Sequence, residues 1–556
     1  MTTNAISGGS AFLTLLKDEG VTHMFGNPGT TELPIMHAMK DHQDLSYVLG
    51  LQESIVVAMA DGFSRASGKL SACNVHVAPG LGNAMGAIYN AKFTGTPMII
   101  TAGQQEQGHG LTEPLLYDPL VPIATPLVKW ATEVNRLEDL PRIIRRAAKI
   151  ATTPPTGPVF LSLPGDVLND EMGLALGSST RVETRTQPAP DVLTALATRM
   201  LAAENPVIVA GDELVKSDAL TEAADLAQTL GAAAYQQTVP YGAHFLSEHP
   251  CFMGTLSRDQ DNVRDVLSPY DLMIVLGADP LRMSVWNANE PLPDHMKIIH
   301  IGLVDWEMGK NYAAEIAVHS DLKTTLAALM PVLRDHGGED LATRARSRCE
   351  TFSKRNWTTK RAALIPKLEA LTDHRPLNPD WVTLRVVEAL PENAVVVNEA
   401  LTSTRQLNAL RPYRDRYDFH AFASGGIGWA LPAAIGIQLA DMSRPVCALI
   451  GDGSAMYSIQ ALWTAANMNL PMTYIITNNA SYRILKQRLL SFHDNNNFIG
   501  MELSDPPIDF TAIARGMGVT AERITEVDAL VPALAAAFAN PGPNLLDICV
   551  DGSVGG

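Results

Sequence analysis

Two polar residues 27 positions apart are placed to do chemistry. Asp452 follows the apolar run Val446 to Ile450 inside Gly451-Asp452-Gly453, and Asn479 follows the run Met472 to Ile476. The residues between them read as a helix. Two parallel strands joined by a helix bring their carboxyl ends side by side, which is where open α/β sheets take ligands. A carboxylate, a side-chain amide and a nearby backbone carbonyl are hard oxygen donors, suited to a Mg²⁺ that also takes phosphate oxygens. Gly451 and Gly453 let the backbone approach a diphosphate, and Ser454 is expected to open a helix whose amino end favours anions. The plain alternative is a Gly-rich turn after one strand and an Asn turn after another.

Further candidates lie upstream. A strand from Val21 to Phe25 ends in GNPGTTELP (26–34), which is either a loop for close ligand approach or a tight turn. Glu53 follows the strand Leu45 to Leu51 where an apolar helix begins; taken alone, it is a helix-start residue interacting with the dipole. His76 sits in the run Ala72 to Val77, and a lone histidine on an apolar strand is usually a core residue. The glycines that follow are spaced GxGxxxG without an acidic partner about 20 residues on, so they read as a close-packed helix start and not a dinucleotide site. His109 stands in the polar loop GQQEQGHGLTEP.

The elements that must position these residues alternate strand and helix along the chain, with further strands expected at 97–101, 159–164, 206–211, 272–279, 297–302, 315–321, 394–398 and 545–550 and a helix start at Gly425 in GGIGWALPAAIG, as doubly wound parallel sheets require. A polar, Pro-bearing stretch at 178–192 marks one linker, and a charged helical stretch with a second linker covers 337–378. The expected domains are 1–180, 190–340 and 375–556. At 556 residues the chain is too long for one core, and 46% hydrophobic with 18% charged residues is ordinary for a compact protein. A net charge of −17 argues against nucleic-acid and anionic-membrane partners. No run suits a membrane helix and the start MTTNAISGGSAF lacks a leader pattern, so cytoplasmic residence is expected. The five cysteines are scattered without a CxxC pair, which suggests buried thiols and neither a disulfide framework nor a zinc site.

GDG, an intervening helix and NN resemble the cofactor signature of thiamine diphosphate (ThDP) enzymes. The order of elements is similar to the three-domain decarboxylase group, with pyrimidine-binding, middle and diphosphate-binding domains, and most similar to its benzoylformate decarboxylase branch. GNPGTTELP, LQES, the His76 stretch through GNAMGA, TAGQQ, LVKW, GPVFLSLP, NEALTST, GGIGWALPAAIG and GDGSAMYSIQALWTAA carry the likeness over nearly the whole length.

The resemblance implies Glu53 as the acid bonded to the aminopyrimidine ring, with its proton held at neutral pH by burial. It makes Asp452, Asn479 and the Ser481 carbonyl the Mg²⁺ ligands, Ile427 the apolar wedge that bends the cofactor, and the Gly425 carbonyl the acceptor for the pyrimidine amino group. Pro28, Gly29, Gly453, Ser454 and Tyr482 join the cofactor-binding set. Thr30 stands where the family has a serine that binds substrate carboxylate, and His76 matches the first active-site histidine. Ser284 stands where a second histidine is expected. After the metal loop, Arg483, Gln487 and Arg488 replace a glycine and aromatic residues, which implies a more polar substrate pocket and makes Arg488 and His109 further candidates for substrate contact.

The activity implied is decarboxylation of a 2-ketoacid. The rival is carboligation with a second aldehyde or ketoacid, which loss of the second histidine favours because slower protonation leaves time for carbon–carbon bond formation. An inactive cofactor-binding homologue is the remaining alternative. Subunits of this group share cofactor sites, so a homodimer at least and a homotetramer are expected. Nothing in the middle segment calls for FAD.

Overall fold

The computed structural model describes residues 5–284 and 286–554. The chain divides into two compact units, one made of Met1–Val182, Ala389–Ser403 and Phe422–Gly556, the other of Glu183–Glu388 and Thr404–Ala421. Three parallel sheets with helices between their strands form the framework.

The first sheet contains β1 (His23–Gly26), β2 (Ser46–Leu49), β3 (Ser71–Val75), β4 (Met98–Gln104), β5 (Trp130–Glu133) and β6 (Pro158–Pro164), in spatial order β2-β1-β3-β4-β6-β5. Every residue of β3, β4 and β6 is buried, which explains why these strands read as continuous apolar runs. The second sheet belongs to the other unit. It contains β7 (Pro206–Ala210), β8 (Ala233–Gln236), β9 (Phe252–Thr255), β10 (Leu272–Leu276), β11 (Lys297–Gly302) and β12 (Ile316–His319), in order β9-β8-β7-β10-β11-β12. The third sheet, back in the first unit, runs β13 (Val395–Glu399), β14 (Val446–Gly451), β15 (Met472–Asn478), β17 (Asn544–Cys549), β16 (Thr520–Ile524). In the first two sheets the strand order reverses, between β1 and β3 and between β7 and β10. A crevice opens at such a point, beyond the carboxyl ends of the strands.

Helices α1 (Glu53–Ser67), α2 (Val77–Thr94), α5 (Ala430–Ala440) and α6 (Arg483–His493) belong to the first unit, and α3 (Leu220–Leu230) and α4 (Leu322–Ser353) to the second. The Gln52 side chain accepts from the Ser54 and Ile55 N–H groups and so caps α1. Helices α1 and α5 cross at backbone contact: a Cβ on Gly62 would lie 2.2 Å from the Ala433 carbonyl oxygen, and one on Gly436 would lie 1.9 Å from that of Met59. Asp61, fully buried on α1, accepts from the Asn90 amide at 2.9 Å and the Trp429 indole at 2.6 Å, so one carboxylate joins α1, α2 and the approach to α5.

Several elements depart from the sequence reading. The helix expected at Gly425 starts at Ala430, because Gly425 (φ +82°) and Gly428 (φ +97°) occupy left-handed positions that a right-handed helix cannot hold. Ser454 lies inside a single turn, Asp452–Ala455, and the longer helix waits until Ala461. His76 is one residue past the end of β3. The stretch read as charged helix and linker is the end of α4, kinked at Gly338 (φ +50°), followed by a helix Trp357–Glu369. Strands β5, β8, β9 and β16 lie outside the expected set; each spans only four or five residues, too short to stand out from its surroundings. No described helix is long and apolar enough to cross a membrane.

Candidate cofactor and active site

Strand β14 delivers Asp452 into the loop beyond the third sheet, where it is 3% exposed. Its Oδ1 accepts from the Gly453 N–H at 2.8 Å, and its Oδ2 from the Asn479 N–H at 3.1 Å and the Ser481 N–H at 3.3 Å. The Asn479 Oδ1 accepts from both the N–H and the hydroxyl of Ser481, at 3.1 and 3.0 Å. Asp452, Asn479 and Ser481 therefore form one cluster. Ala480 between them is held at φ +52°, a left-handed conformation costly for a residue with a Cβ. The loop is further tied by Tyr482 N–H to the Met501 carbonyl, Leu503 N–H to Ala480, and Val550 N–H to Asn478. Gly453 permits this closeness, since a Cβ there would lie 2.5 Å from the Tyr482 ring.

Burial raises the Asp452 carboxyl to about 6 despite its backbone N–H donors. One carboxylate, one amide and a backbone carbonyl suit Mg²⁺ sharing phosphate oxygens. Among the described residues no cluster of three or more His, Cys, Asp or Glu suits a metal of another kind. The residues thus fit a magnesium-bound diphosphate.

Glu399, at the end of β13, is buried beside this loop and binds the neighbouring turn. It accepts from the Gly428 and Ala430 N–H groups and from the Ser454 hydroxyl, and burial pushes it up to about 7. The turn it steadies carries Gly425, which is exposed, and Ile427, which is half-buried. Asn90 holds the other side of that turn by accepting from the Ala423 and Ser424 N–H groups at 3.1 and 3.2 Å.

The first sheet presents a second set of groups. Glu53, 7% exposed, accepts from the Asn27 amide at 3.0 Å and the Asn83 amide at 3.0 Å, one on each oxygen. His76 occupies the position just before α2 without a capping hydrogen bond from its side chain, and Val77 behind it is held at φ +38°, a position that β-branched residues rarely adopt. The imidazole Nδ1 lies 2.7 Å from the Glu32 Oε2 and 3.2 Å from the Thr31 hydroxyl. Glu32 is fully buried and also accepts from the Gly29 N–H at 2.8 Å and the Gly103 N–H at 2.8 Å. Such a carboxylate fixes the ring tautomer, with the proton on Nδ1 and Nε2 left for other work. Gly29 must be glycine here, because a Cβ would lie 2.1 Å from the His76 ring.

Of the remaining candidates, Thr30 is exposed at the start of a short 3-10 turn beside Pro28 and Gly29. His109 is exposed in a polar turn, and Arg488 is exposed on α6 with its guanidinium over the Phe492 ring. Ser284 is exposed and belongs to the other compact unit. Sequence reading overlooked Glu32, Glu399, Asn27 and Asn83. Glu32 and Asn27 lie in GNPGTTELP, and Glu399 lies in NEALTST. The available signal was an acid embedded in segments that must be buried, where an acid needs partners.

Three family models match in chain order. They are the thiamine pyrophosphate enzyme N-terminal TPP binding domain at residues 6–115, the central domain at 193–329 and the C-terminal TPP binding domain at 402–548. Benzoylformate decarboxylase of Pseudomonas aeruginosa is 34% identical over 552 residues, covering 97% of this chain and 98% of that one. Glyoxylate carboligase of Escherichia coli O157:H7 is 24% identical over 541 residues, covering 95% and 90%. The crystal structure of benzoylformate decarboxylase from Polynucleobacter necessarius superposes with a TM-score of 0.87 at 30% identity, covering 99% of each chain. With three matched domains, nearly full coverage and three parallel sheets of this build, the chain belongs to the thiamine diphosphate-dependent enzyme family that includes decarboxylases and carboligases.

Proposed function

We propose that this protein decarboxylates a 2-ketoacid without net oxidation, using ThDP and Mg²⁺. The observation that carries this reading is the pairing of a shielded Glu53, gripped by two amides, with a histidine whose free nitrogen is set by Glu32. Bound ThDP supplies a nucleophilic carbon and an electron sink for the bond to carbon dioxide. Asp452, Asn479 and the Ser481 carbonyl would hold Mg²⁺ and, through it, the diphosphate. Ser454, Gly453 and Tyr482 would line the same end, and Ile427 with the Gly425 carbonyl would meet the cofactor's middle and pyrimidine.

Glu53 would donate a hydrogen bond to the pyrimidine ring nitrogen. Its burial excludes water, and its two amide partners fix the carboxyl plane. His76 would present Nε2 to the reacting group and give or take a proton there, while Glu32 stabilises the imidazolium that results. Thr30, Pro28 and Gly29 would shape the approach for the substrate carboxylate, and Ser284, His109 and Arg488 are weaker candidates for contact with its side chain. A polar pocket follows from Gln487 and Arg488 on α6.

Carboligation is the second reading, favoured by Ser284 where the resemblance expects a histidine. We also propose a homodimer at least, and a homotetramer, in which Glu53 of one subunit meets the metal loop of another, and residence in the cytoplasm. The test incubates the purified protein with ThDP, Mg²⁺ and a panel of 2-ketoacids, with and without aldehydes. Carbon dioxide release without condensation supports the first reading. A hydroxyketone product selects the second, and neither product with any acid overturns both.

A further inference from the structure

Cys251 and Cys349 are 98 positions apart, yet their sulfurs lie 3.6 Å from each other. Cys251 stands just before β9 and is fully buried; Cys349 is in the last turns of α4 and half-buried. The backbone around them is pinned. Arg348 donates to the Leu230 carbonyl at 2.8 Å and the Ala203 carbonyl at 3.0 Å, and a Cβ on Gly231 would lie 2.7 Å from the Ala345 Cα. A sulfur–sulfur bond is about 2.05 Å, so closure asks the two atoms to approach by about 1.5 Å. Side-chain rotation is the movement needed.

The two sulfurs are chemically unequal. The Cys349 sulfur accepts from the Gln228 amide at 3.8 Å, and a hydrogen bond from Cys251 together with the Arg348 guanidinium holds its thiol below the usual cysteine range. Cys251 also points at the Ala227 carbonyl, 3.6 Å away, and its thiol is pushed well up by Cys349 and by burial. One member is thus a reachable thiolate, and the other is a protonated thiol stored behind it.

We propose that Cys251 and Cys349 are a peroxide-responsive dithiol site that forms a reversible intramolecular disulfide. The Cys349 thiolate attacks one oxygen of hydrogen peroxide, the O–O bond breaks, and the departing hydroxide takes up a proton as water; Cys349 is left as sulfenic acid. The Cys251 sulfur then attacks the Cys349 sulfur, its proton leaves with the sulfenic hydroxyl as a second water, and the S–S bond forms. Peroxide is reduced by two electrons and the dithiol is oxidised by two. The bond would clamp the end of α4 to the start of β9.

Cys549 serves as the internal control. It is also half-buried, but burial raises its thiol. The purified full-length holoenzyme is treated with hydrogen peroxide at pH 7.5, denatured in a maleimide, digested and analysed by mass spectrometry with and without dithiothreitol. A Cys251–Cys349 cross-linked peptide that dithiothreitol releases is the expected result. Without peroxide, Cys349 in the native protein should react with maleimide roughly tenfold faster than Cys549. Cys251→Ala should leave Cys349 as sulfenic acid, trapped by dimedone. The proposal is overturned if both residues remain maleimide-labelled after peroxide, if Cys349 in the unsubstituted protein goes to sulfinic acid without the cross-link, or if Cys549 reacts first.

Discussion

The middle sheet and the carboxyl-terminal sheet are both parallel and both end their strands at a crevice, yet the two crevices differ in kind. In the middle sheet, β7 runs into Gly211, whose Cβ would lie 2.3 Å from the Ala278 Cα, so the strand ends close on each other. Glu213 then turns back and accepts the Leu303 N–H beyond β11. The chain's own carboxylate satisfies the donors that a bound anion would otherwise meet. In the carboxyl-terminal sheet the equivalent strands end in Glu399 and Asp452, and backbone donors gather Asp452 into a loop with Asn479 and Ser481. Topology offers the same crevice in both. The loop residues decide whether it is filled from within or made ready for a ligand.

The comparison can be broken most decisively at the acids of the first unit. Glu53→Gln should lower turnover by about a hundredfold or more while leaving the circular dichroism spectrum and ThDP binding in place; unchanged turnover would remove the residue from the mechanism. Asp452→Asn, or chelation with EDTA, should abolish retention of ThDP through gel filtration. Added Mg²⁺ should restore the chelated protein but not the variant. If Asp452→Asn keeps its cofactor, the two crevices do not differ as described.

Glu32→Gln should cut kcat about tenfold with little change in KM, since the His76 ring loses the carboxylate that orients it. A matching rise in KM with loss of thermal stability would mark Glu32 as a packing residue.

Glu213→Gln sharpens the contrast from the other side. Burial lifts the Glu213 carboxyl to about 7 from an ordinary 4.5, so between those values the folded state binds more protons than the unfolded one. Stability contributed by the neutral acid therefore falls as pH rises from about 4.5 to 7 and stays low above it. The glutamine variant should gain about 1 to 3 kcal/mol over the parent at pH 8 and nothing at pH 4.5, in urea unfolding at the two pH values. Activity should be unaffected. Smallest of all, Ala480→Gly should raise stability by no more than about 1 kcal/mol by relieving a left-handed residue. Its effect on Mg²⁺ affinity reports whether that strain positions the loop.

How far the fold and site were legible depends on how local each signal is. Buried parallel strands advertise themselves as unbroken apolar runs, so β3, β10, β14 and β15 could be read directly. Strands such as β5, with Trp-Ala-Thr-Glu, and β16, with Thr-Ala-Glu-Arg-Ile, take their state from neighbours that pair with them and carry no such mark. The turn at Gly425 was misread as helix because its apolar surroundings continue the pattern of α5, and backbone sign is not a property of hydropathy.

The sequence by itself determined the alternation that makes three parallel sheets, the family, and the spacing that lets Asp452 and Asn479 reach one loop. It did so because strand runs, glycine turns and a 27-residue strand-helix-strand interval are encoded along the chain. Only the tertiary structure decided that Glu32 grips His76, that Asn27 and Asn83 take one oxygen each of Glu53, that Glu213 fills its own crevice, and that two distant cysteines touch. Those pairings join residues from 26 to 98 positions apart across different elements. Their partners are chosen by three-dimensional packing and by the cost of leaving a buried polar group alone, neither of which a linear pattern records.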